Sequence, residues 1–316
     1  MKNTQNITNI HHSVPSKRMF ILAFRQIILA CSCMILLTLT TCRVDKDQPK
    51  AKDDSHMLSG KDYDQSGGAD AYACGGNHFN SIYYGNPDYY SLQSDSSLII
   101  IPHFKTMQQT TEWSCGDVCA LLLLHHFGCD NNLTEWDLAK ALRSMTNRSI
   151  SDAKPGSAQD FADYGTHLED LYNYFYKHPQ LKIVASSYRL KYANSDIVKS
   201  GDPFPQCDYG NLYPTFQSIN AFSAWLTVQL RANRPVMVEW SDWDGHWDLI
   251  IGIDFNGTPN FTGDDTLIFA DPYDTSDHRQ DGYSIAPLER FFYSWKDRAI
   301  APKPYQLQPF IVVDKR

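Results

Sequence analysis

The chain has 316 residues, 42% of them hydrophobic, with 7 Trp, 18 Tyr and 16 Phe, and a formal net charge of −8. That much apolar and aromatic material excludes an intrinsically disordered chain and suffices for the core of one or two domains. The acidic balance argues against a binder of phosphate backbones, and no glycine-rich loop lies between a strand and a helix to hold a nucleotide, so neither nucleic acid nor nucleotide is expected as a partner.

Residues 1–42 carry Lys2, Lys17, Arg18 and Arg25 and no acidic residue, and an apolar run follows from Gln26 to Leu39. A basic start before about fifteen apolar residues reads as a secretory signal, since a spanning helix needs about twenty. Leu39-Thr40-Thr41-Cys42 looks like the box at which bacterial lipoproteins are cut and lipidated, with Cys42 as the lipidated residue; Cys31 heads a poorer competing site. An uncleaved anchor or a start codon placed too far upstream is the alternative. Cleavage at Cys42 would take the net charge to −12, with 24 basic residues against 36 acidic. The expected location is the cell envelope, either lipid-anchored to a membrane or periplasmic or extracellular.

Residues 43–97 are rich in Asp, Lys, Ser and Gly, show no sustained apolar period, and read as a polar tether. Within them Tyr83 to Tyr90 is aromatic enough to pack against a domain surface. The folded domain is expected over 98–316.

Its first notable stretch is Gln109-Thr110-Thr111-Glu112-Trp113-Ser114-Cys115-Gly116. The run from Val118 to Leu124 is too continuously apolar for a half-exposed strand, and through Phe127 it is long enough for a buried helix of about three turns ending at Gly128. Cys115 then opens that helix, where orphan N–H groups and the positive end of the macrodipole favour a thiolate, the nucleophilic form of cysteine. Gln109 precedes it by a short loop that could fold the amide back beside the thiol, as a donor to an oxyanion together with the Cys115 backbone N–H. His125 and His126, at the far end of the helix, are about 15 Å away at 1.5 Å per residue and read as a C-terminal cap.

Thr134-Glu135-Trp136-Asp137 gives an N-cap and acidic first turn for a second helix. A third, from about Thr166 to Tyr176, sets Leu168, Leu171, Tyr172 and Phe175 on one face, and both are expected to pack on the Cys115 helix. Residues 181–190 read as a strand, Ser200 to Pro214 as a long loop suited to substrate selection, and Phe216 to Ala232 as an amphipathic helix. Arg234 to Trp240 reads as a buried strand. Asp242-Trp243-Asp244-Gly245 lacks the remaining ligands of a calcium loop and reads as a solvated turn. A strand then begins at His246 and runs to Asp254; Phe255 to Asp265, with Asn256-Gly257 and Gly263, reads as a hairpin connection; and Leu267 to Ala270 leads to Asp271-Pro272. Antiparallel pairing of these two strands would bring His246 and Asp271 to one end of the sheet. A helix near Leu288 to Trp295 and a strand from Pro309 to Val313 close the chain.

In their order and spacing, these four residues resemble the papain-like cysteine peptidases typified by the double-glycine leader peptidases. That family carries a glutamine, a Cys-Gly six positions later at a helix start, a Gly-His at a strand start and an Asp-Pro after the next strand. Gln109, Cys115, His246 and Asp271 match it residue by residue over roughly residues 98 to 300, with Ser114 and Cys119 as departures at neighbouring positions. The resemblance implies an α+β, papain-like fold in which a helical lobe carrying the nucleophile packs on an antiparallel sheet. It also implies a thiol hydrolase acting on a peptide or amide substrate: Cys115 attacks, Gln109 holds the oxyanion, His246 moves the proton and Asp271 orients the imidazole. Peptidase, amidase and transpeptidase chemistry would be served equally. The alternative is an inactive peptide- or glycan-binding module of the same fold.

No zinc-ligand spacing of Cys or His occurs, and neither a metal nor an organic cofactor is implied. Cys74, Cys119, Cys129 and Cys207 could pair in an oxidising compartment. Cys119, one turn from Cys115, could be core, a disulfide partner of Cys129 or Cys207, or a redox trap for the nucleophile.

Overall fold

The computed structural model describes residues 87–147, 154, 156–158, 164–188, 216–240, 245–258, 260–274, 281–296 and 308–316. The leader with Cys31 and Cys42, most of the tether with Cys74, the long loop with Cys207, and Asp242 to Asp244 lie outside the described residues.

The architecture turns on one strand, β4 (His246–Asp254), all but the last of whose nine residues are buried. On one edge its first half pairs with β3 (Val236–Trp240) and its second half with β1 (Leu98–Ile100); on the other edge it pairs with β5 (Thr266–Ala270). The continuous apolar run of β4 is the signature of a strand covered on both faces. Beyond β5 lies β6 (Tyr283–Pro287), and beyond β3 lie β7 (Phe310–Lys315) and then β2 (Leu181–Ser186), giving the order β2-β7-β3-β4-β5-β6 with β1 beside β4. Every pairing is antiparallel.

Helix α1 (Cys115–His126) packs on α2 (Glu135–Ala141) and β4, and all ten residues from Cys115 to Leu124 are buried. A helix whose first ten residues are enclosed needs no polar stripe, which is why its sequence is continuously apolar from Val118 to Leu124. Helix α2 begins with a complete capping box between Thr134 and Asp137. Helix α3 (Leu168–Lys177) buries Leu168, Leu171, Tyr172 and Phe175, the face expected from its spacing. Its main contacts are with β2 and β7 at the far edge of the sheet, rather than with the Cys115 helix as expected. Strand β2 ends at Ser186, four residues short of its predicted end.

Helices α4 (Ile219–Arg231) and α5 (Leu288–Lys296) meet over an aromatic cluster in which Phe222 lies 5.3 Å from Trp295 and 5.9 Å from Phe291, ring centre to ring centre. Tyr89 and Tyr90, at the end of the tether, rest against Tyr283 and His103. No helix among the described residues is long and apolar enough to cross a membrane.

Candidate active site

Antiparallel pairing sets the head of β4 against the end of β5: Leu249 opposite Ala270 is the last pair of this ladder, and His246 and Asp271 lie past it at the same end of the sheet. The imidazole Nε2 of His246 lies 2.8 Å from Asp271 Oδ1, and both side chains are buried. Asp271 Oδ1 also accepts the Tyr273 backbone N–H at 2.8 Å, so the carboxylate is held from two sides. With Nε2 engaged, Nδ1 is the ring nitrogen left for a thiol.

The start of α1 is delivered to this corner by Trp247 and Cys119. Trp247 donates its Nε1–H to the Thr166 carbonyl at 3.0 Å, and the Cys119 thiol donates to the Trp247 carbonyl at 3.2 Å. Cys119 lies within electrostatic reach of Cys115, His246, Asp248 and Asp271, and burial, reinforced by those carboxylates, pushes its thiol well above the ordinary range. It is wholly buried and acts as core; Cys115, Cys119 and Cys129 are all free thiols. A neutral thiol with its hydrogen committed to a carbonyl is a poor redox partner for Cys115. At the other end of α1, His125 pairs with Asp130 and His126 with the Asn233 carbonyl, well away from Cys115.

Gln109 is carried on a segment laced to the β5–β6 connection. Tyr283 donates its hydroxyl to the Phe104 carbonyl and Thr106 to the Asp281 carbonyl, each at 2.6 Å, and the Gln109 backbone N–H reaches the Pro272 carbonyl at 2.7 Å. This last bond ties the glutamine to the residue after Asp271. The Gln109 side chain turns onto its own loop, donating from Nε2 to the Thr111 carbonyl at 2.8 Å, while Oε1 is buried without a partner. An amide nitrogen has two hydrogens, so one donor remains.

The loop from Gln109 to Cys115 is pinned by Glu135, the first residue of α2. Its buried carboxylate accepts from the Thr110 N–H at 3.1 Å, the Thr110 hydroxyl at 2.9 Å and the Ser114 hydroxyl. Ser114 occupies the N-cap position of α1 but gives its hydroxyl to Glu135 and makes no cap bond. The positive end of α1 is therefore left without a side-chain cap from Ser114. Asp117, buried in the first turn, is held instead by Ser144 at 2.6 Å and Thr166 at 3.2 Å.

Sequence reasoning missed Asp248 and Trp240. Asp248 Oδ1 lies 3.1 Å from His246 Nε2, and its Oδ2 accepts the Trp240 Nε1–H at 2.7 Å. Burial opposes charge on His246, yet Asp248 and Asp271 together outweigh it and hold the imidazole well above its usual range. Burial, with the charge of Asp271 beside it, pushes Asp248 up to about 7. Burial would also raise Asp271, but His246 and the hydrogen bonds to it bring it below the ordinary carboxylate value. The available signal was the two-residue spacing on a strand, which puts positions 246 and 248 on one face.

His246, Asp248 and Asp271 also place one potential metal-ligand atom each within 4.8 Å of one another. Nε2 is the histidine atom that carries the bond to Asp271, and a proton there offsets one of the two carboxylate charges.

A family model described as papain-like cysteine protease AvrRpt2 matches residues 209–287, about a quarter of the chain. The matched segment contains His246, Asp248 and Asp271 and excludes Gln109 and Cys115. Together with the helices packed on a seven-stranded antiparallel sheet, it supports an α+β fold of the papain-like kind and the class of cysteine peptidase-like hydrolases. The match does not extend to the leader-peptidase resemblance. No curated protein and no solved structure matches the chain.

Proposed function

We propose that this protein is a thiol hydrolase that cleaves a peptide or amide bond, with Cys115 as nucleophile, His246 as proton shuttle, Asp271 as the group that orients the imidazole, and Gln109 as oxyanion donor. The observation that carries the reading is the buried 2.8 Å bond between His246 Nε2 and Asp271 Oδ1 at the corner of the sheet where the uncapped helix begins. In this reading a thiolate–imidazolium pair forms between Cys115 and His246. The thiolate attacks the carbonyl carbon, and the Cys115 backbone N–H and the free donor of Gln109 Nε2 hold the oxyanion. As the tetrahedral intermediate collapses, the imidazolium passes its proton to the leaving amine; water, deprotonated by the same imidazole, then releases the acyl group and restores the thiol.

The pH dependence of Cys115 alkylation, followed on the labelled peptide by mass, tests the pair directly. Rapid labelling well below pH 7, delayed toward pH 8.5 in His246→Ala, is the expected result. Labelling of native protein only near the pH of a free thiol would leave a peptide-binding module of the same fold as the better account.

A further inference from the structure

We infer that Asp248 is a second carboxylate partner of His246, a positioning residue that works with Asp271 to hold the imidazolium. The inference rests on the thiol-hydrolase reading and adds a residue to it.

Three observations support it. First, Asp248 lies within a strand buried over its first eight residues, flanked by Trp247 and Leu249, each no more than 1% exposed. An apolar residue would serve the sheet there without the cost of burying a carboxylate. Second, the carboxylate is fixed. Trp240, whose backbone is opposite His246, reaches diagonally to donate Nε1–H to Asp248 Oδ2 at 2.7 Å, and its ring stacks on Phe269. Third, the other oxygen is aimed at the imidazole: Oδ1 lies 3.1 Å from Nε2 yet makes no hydrogen bond, because the single Nε2–H points to Asp271. Its attraction to the ring is therefore one of charge and exists only while the imidazole is protonated.

Among the described residues, the titratable groups that reach this cluster from the packed elements are Cys119 of α1 and Asp271 after β5, with the Tyr273 ring 6.3 Å from His246; Cys115 lies within electrostatic reach of Cys119. With His246 charged and both carboxylates ionised, the trio would carry a net negative charge out of reach of water. One proton is retained on Asp248 until the pH nears neutrality and is then lost to solvent. Below that point Asp248 is neutral and contributes little. Above it, the new anion strengthens the hold on the imidazolium. The effect is one-sided: it extends the alkaline limit of the ion pair and leaves the acid onset unchanged.

The test is an NMR titration of the His246 imidazole in the 316-residue protein with EDTA present, comparing native, Asp248→Asn and Trp240→Phe forms, alongside the acid onset of Cys115 alkylation. In Asp248→Asn the His246 midpoint should fall by about one pH unit or more while the alkylation onset stays in place. Trp240→Phe, which keeps the carboxylate but removes its donor, should shift the midpoint the same way by less. This second variant decides the matter if circular dichroism shows that Asp248→Asn does not fold. A midpoint unchanged in the folded variants, or an acid onset that moves equally, overturns the inference while the His246→Ala delay still supports the hydrolase. Loss of that delay in the native comparison removes the hydrolase reading itself.

Discussion

Gln109 has its backbone bonded to Pro272 and one amide hydrogen on the Thr111 carbonyl, so in the proposed reading its remaining donor is held in place before substrate arrives. Gln109→Ala should lower kcat about 10²–10³-fold with KM little changed, since the lost bond forms only in the transition state; steady-state kinetics on a peptide substrate would measure it. As a candidate, this residue was legible because a fixed interval separates it from a Cys-Gly at a helix start. Asp248 was not, because a lone carboxylate within an apolar strand gives no local sign of what it faces. Its importance lies in Trp240 and Asp271, which only strand pairing brings near.

Among elements, the start of α1 shows why glycine follows the cysteine. A Cβ at Gly116 would lie 2.5 Å from the Thr166 Cβ and 2.7 Å from its Oγ1, and Thr166 is held by Asp117 and Ser144. Alanine would gain up to about 1 kcal/mol in helix propensity. Overpacking against a fixed side chain costs about 1–3 kcal/mol, so the clash wins. Gly116→Ala should lower the urea midpoint, with partial recovery in Gly116→Ala/Thr166→Gly. Elements with long apolar runs or clear caps, such as α1, α2 and β4, were readable from sequence. Strand β6 escaped because it is a five-residue edge strand with Ile285 exposed and Pro287 at its end, and β1 because three residues make no pattern. The faces of α3 were plain, yet its partners were not, since an apolar stripe does not name the surface that covers it.

For the molecule as a whole, buried carboxyls set the dependence of stability on pH. Burial pushes Glu239 from its ordinary 4.5 up to about 8 and is the chief cause that brings Asp265 from 3.8 to about 6. Between the ordinary and the folded values the unfolded chain has lost protons that the folded chain keeps, so stability falls as pH rises through that window. His246, raised in the fold, adds stability that is fully present below 6.5 and is lost as pH climbs through its folded value. Calorimetry should therefore give a higher Tm near pH 5.5 than near pH 8.5. Glu239→Gln should raise Tm by about 3 °C or more at pH 8.5 and change it little at pH 5.

Strand β7 lies between β2 and β3 although it is the last of these elements along the chain. Until residues 310–315 have been made and inserted, β2 with α3 on one side and the β3–β6 block on the other have no shared hydrogen-bonded neighbour. Closing the sheet then requires contacts across more than a hundred residues, the kind of long-range closure that slows folding. A nascent chain would thus expose apolar strand edges until residues 310–315 arrive. Loss of that segment would remove the strand that joins β2 to β3 and leave the His246 corner on a sheet open at β3.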